Sequence, residues 1–331
     1  MESLRLLLHD RTELAERGIG WRAARDLLAH NRLTRVRPGL VVFTSDWAGL
    51  TPEQRLVLRA HALDRISRRV HVASHLTALA LHGLPVVFAD VDHVHTTART
   101  ERSGSLAGVI RHRGPLADGE ITELCGLLCT TVERTLADVA RSQRPETAIP
   151  AIDAALRAAA DARGGAAAEQ LRDEARWIAG RAAYGSQAAR RAIDFGDARA
   201  QRAGESVSRV RLAQIGFALP SLQVPVRAPG GGTYFVDFGL DDVDVFGEFD
   251  GRGKYVDAAL LAGRTPEQAL LDEKQREDWI RGVTGRRVVR WGWEHVTTAA
   301  SLERRLAQFG VRPSTRRQRD AARQPTASAR T

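Results

Sequence analysis

The stretch Thr233–Tyr255, TYFVDFGLDDVDVFGEFDGRGKY, gathers the residues best suited to chemistry. It reads as two short strands, Thr233–Phe238 and Asp242–Asp250, rich in Val, Phe and Tyr and joined by a polar turn. Side chains two apart on a strand share a face, which pairs Glu248 with Asp250. Asp237 falls late enough in the preceding strand to reach the same pole of the hairpin. Carboxylates on otherwise apolar strands are costly unless a positive charge lies between them. A divalent metal is the usual remedy, and hard oxygen donors select Mg²⁺ or Mn²⁺. Asp241, Asp242 and Asp244 crowd the turn and read as surface positions.

The flanking elements must hold that hairpin in place. Upstream, Ala198–Gln214 reads as a helix carrying Glu205, followed by a strand at Leu222–Arg227 and the turn Pro229-Gly230-Gly231-Gly232. Downstream, Thr265 and Pro266 have the form of an N-cap and first helical residue, opening a helix to about Arg281. A strand over Arg286–Trp293 and a helix over Thr298–Phe309 follow. The order is αβββαβ with a closing helix.

That order, with Asp237 and then Glu248-Phe249-Asp250-Gly251, resembles the PD-(D/E)XK nuclease superfamily, most of all its branch related to very-short-patch-repair (Vsr) endonucleases. The resemblance covers roughly residues 200–310 and implies that Asp237 and Glu248 hold Mg²⁺, with Glu205 completing the metal shell. A metal so held polarises a scissile phosphate and supplies hydroxide. Two positions after the Glu the family usually has a Lys that orients the water. Here that position is Asp250, and Lys254 just past the strand is the residue able to reach back. The implied catalytic set is therefore Asp237, Glu248, Asp250 and Lys254, with Lys274, Arg276 and Glu277 lining the cleft. A nuclease-like fold that binds nucleic acid without cutting it fits the same residues.

At the other end, Leu4, Leu7, Leu8 and Leu14 space a first helix over residues 2–17, broken by Gly18-Ile19-Gly20. Trp21–Asn31 forms a second, with Arg22 and Arg25 off its apolar face. RLTRVRPGLVVF then makes two strands about Pro38-Gly39, with Arg32, Arg35 and Arg37 at the hairpin. This is the outline of a winged helix–turn–helix, whose arginines meet DNA phosphates. Beyond it, SHLTALALHGL, VDHVHTT and TTVERTLADVAR complete a pattern over roughly residues 5–150 that resembles the AbiEi family. Those are antitoxins of type IV toxin–antitoxin systems with a promoter-binding winged helix. The resemblance implies a cognate toxin or its gene's promoter as partner, and a non-catalytic regulator as the alternative to an endonuclease.

His71 and His75 stand four apart, as helical metal ligands do. Ser74 as N-cap puts His71 outside that helix, however, and His93 and His95 simply alternate on a strand. All four, with His82, read as structural. Cys125 and Cys129 lie in the apolar run LCGLLC and are too few for a disulfide framework or a closed zinc site.

The formal net charge is +9, and Lys254 and Lys274 are the only lysines. Residues 312–331 hold six Arg and one Asp, so about +4 belongs to everything before them and the folded body is only mildly basic. No apolar run has the length of a membrane span and no signal peptide opens the chain. The expectation is a cytoplasmic, multidomain α+β protein of mixed α/β class that binds DNA, with RNA as the alternative target. Its parts are a winged helix (1–50), a middle α/β domain (51–150), an Ala-rich helical linker (151–200), a restriction-endonuclease-like αβββαβ domain (201–310) and a disordered basic tail (311–331).

Overall fold

Asp10 decides where the first α-helix begins. Its carboxylate accepts from the N–H groups of Thr12 and Glu13, and Glu13 reaches back to the N–H of Asp10, a reciprocal cap. Helix α1 is therefore Arg11–Glu16, and the leucines before it form a 3₁₀ turn over Glu2–Leu7. The single helix expected over residues 2–17 is split because His9 pairs with Val41 as a β-bridge. The computed structural model describes residues 2–67, 69–98, 104–251 and 265–314. Lys254, and the tail from residue 315 onward, lie outside the described residues.

The chain divides into two units, Met1–Ala151 with Glu169–Ile193, and Ile152–Ala168 with Asp194–Thr331. In the first, α2 (Trp21–Ala29) leads into strands β1 (Leu33–Arg37) and β2 (Leu40–Phe43), an antiparallel hairpin turned by Pro38-Gly39. Leu14, Ala24, Leu33 and Val41 form the small core beneath them. Helices α3 (Thr44–Gly49) and α4 (Pro52–Ile66) follow, the latter opened by a Thr51–Gln54 capping box with Pro52 at its first position.

A mixed six-stranded sheet completes this unit. Its strands are β3 (Val72–Ala73), β4 (Val94–Ala98), β5 (Gly104–Leu106), β6 (Val109–Arg113), β7 (Ile121–Leu124) and β8 (Leu127–Thr130), in the order β5-β6-β4-β3-β8-β7. Helices α4 and α5 (His75–Leu81), the latter N-capped by Ser74, pack on the sheet, and α6 (Val132–Ser142), capped by Thr131, packs on α5. The run LCGLLC is a hairpin: Cys125 and Gly126 both take positive φ (55° and 76°), which makes the two-residue turn between β7 and β8. Cys129 lies wholly buried behind it, and burial pushes its thiol up to about 12.

The Ala-rich stretch expected as a linker is helical and is shared between the units: α7 (Pro145–Arg163), α8 (Gly165–Gly180) and α9 (Ser186–Phe195). The second unit then runs α10 (Ala203–Ile215), β9 (Ser221–Arg227), β10 (Thr233–Leu240), β11 (Val245–Phe249), α11 (Pro266–Thr284), β12 (Arg287–Trp291), α12 (Trp293–Val296) and α13 (Ala299–Gln308). This is the expected αβββαβ order. The sheet order is β12-β11-β10-β9, antiparallel except for the β11–β12 pair.

Two glycines set how closely the layers pack. A Cβ at Gly204 would lie 2.1 Å from the Phe249 ring, and one at Gly247 would lie 2.2 Å from the Trp291 indole. Their absence lets Phe249 press on α10 and lets Trp291 stack on Phe238 at 5.3 Å while its Nε1 donates to Ser208 of α10. On the other face Val226, Val236, Phe246 and Val288 pack with Ile280 of α11. The sheet is thus covered on both faces, as apolar strands of this kind require.

Candidate functional site

Strand alternation fails at Asp237, and this shapes the site. Val236 and Phe238 are two apart, yet Val236 joins the cluster on the α11 side while Phe238 stacks with Trp291 on the α10 side. The pairing of β9 with β10 skips the position between Val236↔Val224 and Phe238↔Leu222, where Gln223 takes a positive φ of 51°. Such an irregularity re-aims side chains and is common beside functional sites. Asp237 Oδ2 accepts the N–H of Phe249 at 2.9 Å, which ties the two strands together at this level.

Asp237 and Glu205 are brought together. Glu205 is 3% exposed, and its Oε2 accepts the N–H of Gln201 at 2.8 Å. Burial, and then the neighbouring Asp237 carboxylate, push Glu205 up to about 7. A carboxyl raised in this way beside a second acid suits a cation or a shared proton.

Glu248 is not part of that pair. It is the cross-strand partner of Arg290 on parallel β12, and its two oxygens take Arg276 Nη1 at 2.7 Å and Arg290 Nη2 at 3.0 Å. Glu273 and Glu277 of α11 complete the network around the two guanidiniums. Burial raises the Glu248 carboxyl even against these arginines. The positive charge expected between the carboxylates is therefore supplied for Glu248 by arginine. Glu248, expected beside Asp237 as a metal ligand, stands in direct register with Arg290, and the arginines hold its side chain on the α11 face.

Asp250 lies just past the end of β11, where its N–H continues the pairing by donating to Trp291 O at 2.8 Å. Its Oδ1 is buried and has no hydrogen-bond partner among the described residues. Arg276 and Glu277, expected to line the cleft, belong to the Glu248 network. Among the described residues no group of three or more His, Cys, Asp or Glu is arranged to hold a metal ion. By chemistry Asp237, Glu205 and Asp250 suit a hard cation; by arrangement only the first two come together. Asp241 and Asp244 are surface residues pinned by Arg286 at 2.9 and 2.6 Å, as their place in the turn implied, whereas Asp242, expected with them, is half-buried.

In the first unit the arginines separate into two kinds. Arg22 and Arg25 on α2, and Arg32 and Arg35 at the hairpin, are all exposed. None has an acidic partner among the described residues. Arg37 was expected with them, but it is 8% exposed, and its guanidinium donates to the carbonyls of Ala107 (3.3 Å) and Gly108 (3.0 Å). Strand alternation alone does not bury it; the turn before β6 does, because it presents the Ala107 and Gly108 carbonyls to the guanidinium. Arg37 is a structural residue. Trp21, placed on the apolar face of α2, is more than half exposed and lies under the Arg11 guanidinium at 5.6 Å.

The histidines are structural in the way expected, with one addition. His71 bonds Ser67 Oγ, His82 bonds Thr130 O, and His93 pairs with Asp90. His75 and His95 join His112, which sequence reading left out. The His75 and His112 rings stack at 3.5 Å, and His95 Nδ1 meets His112 Nε2 at 2.9 Å. Burial and their mutual repulsion hold His75 well below the usual imidazole range, and His95 at about 4. Burial likewise brings His112 to about 4. These are neutral imidazoles stacked in a core. His112 lies on β6, and it reaches His95 only through the parallel pairing of that strand with β4.

No helix among the described residues is long and apolar enough to cross a membrane. No family model matches this chain. It is similar to two curated proteins of Mycobacterium tuberculosis, uncharacterized protein Rv2248 of strain H37Rv and uncharacterized protein MT2308 of strain CDC 1551. Each is 31% identical over 209 residues, 62% of this chain and 72% of the relative. At that identity and coverage, the chain belongs to the same family as these two mycobacterial proteins.

Proposed function

We propose that the chain is a DNA-binding protein whose N-terminal winged helix docks on a duplex. The observation that carries this reading is the set of four exposed, unpartnered arginines, Arg22, Arg25, Arg32 and Arg35, on the second helix of the helix–turn–helix and on the hairpin beside it. Guanidiniums left without acids on a surface are free to meet phosphates bidentately and to release counterions. The resemblance to AbiEi antitoxins extends the reading to a regulator that occupies a promoter and has a toxin as partner. The test is fluorescence anisotropy with the promoter fragment across a salt series. Binding that weakens steeply with salt, and that is lost when the four arginines become Ala, supports the reading. No binding at micromolar protein and low salt overturns it.

A second reading, phosphodiester hydrolysis by the αβββαβ unit, is favoured by buried Glu205 beside Asp237 and by an Asp250 oxygen without a partner among the described residues. The cofactor would be Mg²⁺ or Mn²⁺, which when bound supplies a Lewis acid for the phosphate and lowers the pKa of water. The residues' own part is fixed by the backbone: the N–H of Phe249 orients Asp237 and the N–H of Gln201 orients Glu205. Plasmid incubated with either ion separates the readings. Cleavage lost in both Asp237→Ala and Glu205→Ala supports hydrolysis; intact plasmid beside normal promoter binding leaves the DNA reader alone.

A further inference from the structure

A cleft in the N-terminal unit has the makings of an anion site. It lies between the end of β6, helix α6 and the turn that follows α8, and it encloses about 410 Å³. Small-ligand pockets generally hold roughly 300–1,000 Å³. Arg113, Arg134, Arg141, Arg181 and Tyr184 line it.

The electrostatics explain why so many arginines tolerate one another. Asp138 takes Arg134 Nε on one oxygen and Arg141 Nη2 on the other, both at 2.9 Å. Glu120 takes Arg134 Nη1 at 2.7 Å and Arg181 Nη1 at 2.8 Å in the same divided fashion. Every oxygen of the two carboxylates is thus committed. Each guanidinium has five N–H donors, so Arg141 and Arg181 keep most of theirs and Arg134 keeps its Nη2 pair. Arg113 is exposed and has no acidic partner among the described residues. Four cations against two anions leave the cleft with two positive charges in excess, and the acids hold the guanidiniums in fixed orientations.

The rim is aromatic. Tyr184 is 88% exposed, and Trp177, 65% exposed, carries the Arg181 guanidinium over its ring at 4.8 Å. Oriented guanidiniums with spare donors suit a phosphate, and an exposed ring at the mouth suits a flat heterocycle attached to it.

We propose that this cleft binds a mononucleotide, with Arg113, Arg134, Arg141 and Arg181 on its phosphate and Tyr184 against its base. The proposal is independent of the winged helix and of the Glu205–Asp237 pair. It is tested on the full chain by calorimetric titration with AMP, adenosine, inorganic phosphate and a DNA duplex. The expected result is that AMP binds, phosphate competes with it, and adenosine is at least tenfold weaker than AMP. Arg113→Ala should weaken AMP at least tenfold, and Tyr184→Ala should weaken AMP while leaving phosphate unchanged. Both side chains are exposed, and unaltered circular dichroism checks that the variants fold.

Failure of both AMP and phosphate to bind at millimolar concentration would overturn the proposal. So would AMP affinity that ignores Arg113→Ala, or equal affinity for AMP and phosphate in wild type and Tyr184→Ala. Displacement of AMP by the duplex, retained after the four winged-helix arginines become Ala, would assign the cleft to a nucleic-acid backbone and overturn the mononucleotide.

Discussion

The β1–β2 hairpin of the first unit and the β10–β11 hairpin of the second are both short antiparallel pairs flanked by charged residues, but their charges have different fates. Around β1–β2 the guanidiniums of Arg32 and Arg35 point outward with no acid beside them, and only Arg37 is drawn inside. Around β10–β11 the charges are answered from within the unit: buried Glu248 by Arg276 and Arg290, the surface acids Asp241 and Asp244 by Arg286, and buried Glu205 by its raised pKa. The difference separates charge available to a partner from charge already used by the fold. A basic count cannot make that separation, and a carboxylate motif cannot either.

The largest effect should come from unbalancing the internal network. Arg276→Ala leaves Glu248 buried beside one guanidinium, and breaking such a pair typically costs about 3–5 kcal/mol. Denaturant unfolding should show the C-terminal unit destabilised while promoter binding persists. Loss of DNA affinity with no change in stability would place Arg276 among the DNA contacts and undo the contrast.

Next come two pH effects of similar size and opposite sign, in the metal-free chain. His95 is lowered from 6.5 to about 4, so its contribution to stability is present above pH 6.5 and is lost as pH falls toward 4. Glu205 is raised from 4.5 to about 7, so its contribution is present below pH 4.5 and is lost as pH rises to 7. Each displacement is worth up to about 3 kcal/mol at 1.36 kcal/mol per unit. Glu205→Gln should therefore stabilise the C-terminal unit at pH 8 and match wild type at pH 4. His95→Gln should blunt the acid sensitivity of the N-terminal unit. Thermal melts from pH 4 to 8 check both, and a Glu205→Gln difference that does not change with pH breaks the argument.

The smallest changes in stability are expected where the charges face outward. Replacing Arg22, Arg25, Arg32 and Arg35 by Ala should move stability by only about 0.5 kcal/mol per site. The same change should cut the slope of log K against log salt by about 3–4, near 0.9 for each lost phosphate contact. Arg37→Ala should do the reverse, weakening the N-terminal unit and leaving the slope alone. Should Arg37 and Arg35 behave alike, the division between structural and available arginines would fail.

Much of this was legible in the chain. Ser74 and Thr265-Pro266 mark helix starts that the structure places where the capping residues stand. The order of helices and strands after residue 200 followed from period and punctuation, with ends displaced by a few residues. Even the hairpin acids Asp241 and Asp244 were correctly placed at the surface. What could not be read was any relation between distant segments. Arg290 neutralises Glu248 only because β12 lies parallel to β11 in a register that pairs the two. His112 meets His95 only because β6 runs beside β4. Arg37 turns inward only because the turn before β6 presents carbonyls to it.

The sequence by itself determined the elements, their caps and order, and which residue types were available for chemistry. These depend on backbone propensity, hydrophobic period and local hydrogen bonds, all of which act within a few residues. Tertiary structure alone decided which charges cancel. Electrostatic and hydrogen-bond energies depend on distance and burial, and those are fixed by strand register and by the close approaches that Gly204 and Gly247 permit. The same physics ties Glu248 to Arg276 and Arg290, sets Asp237 beside Glu205, and leaves four arginines facing out.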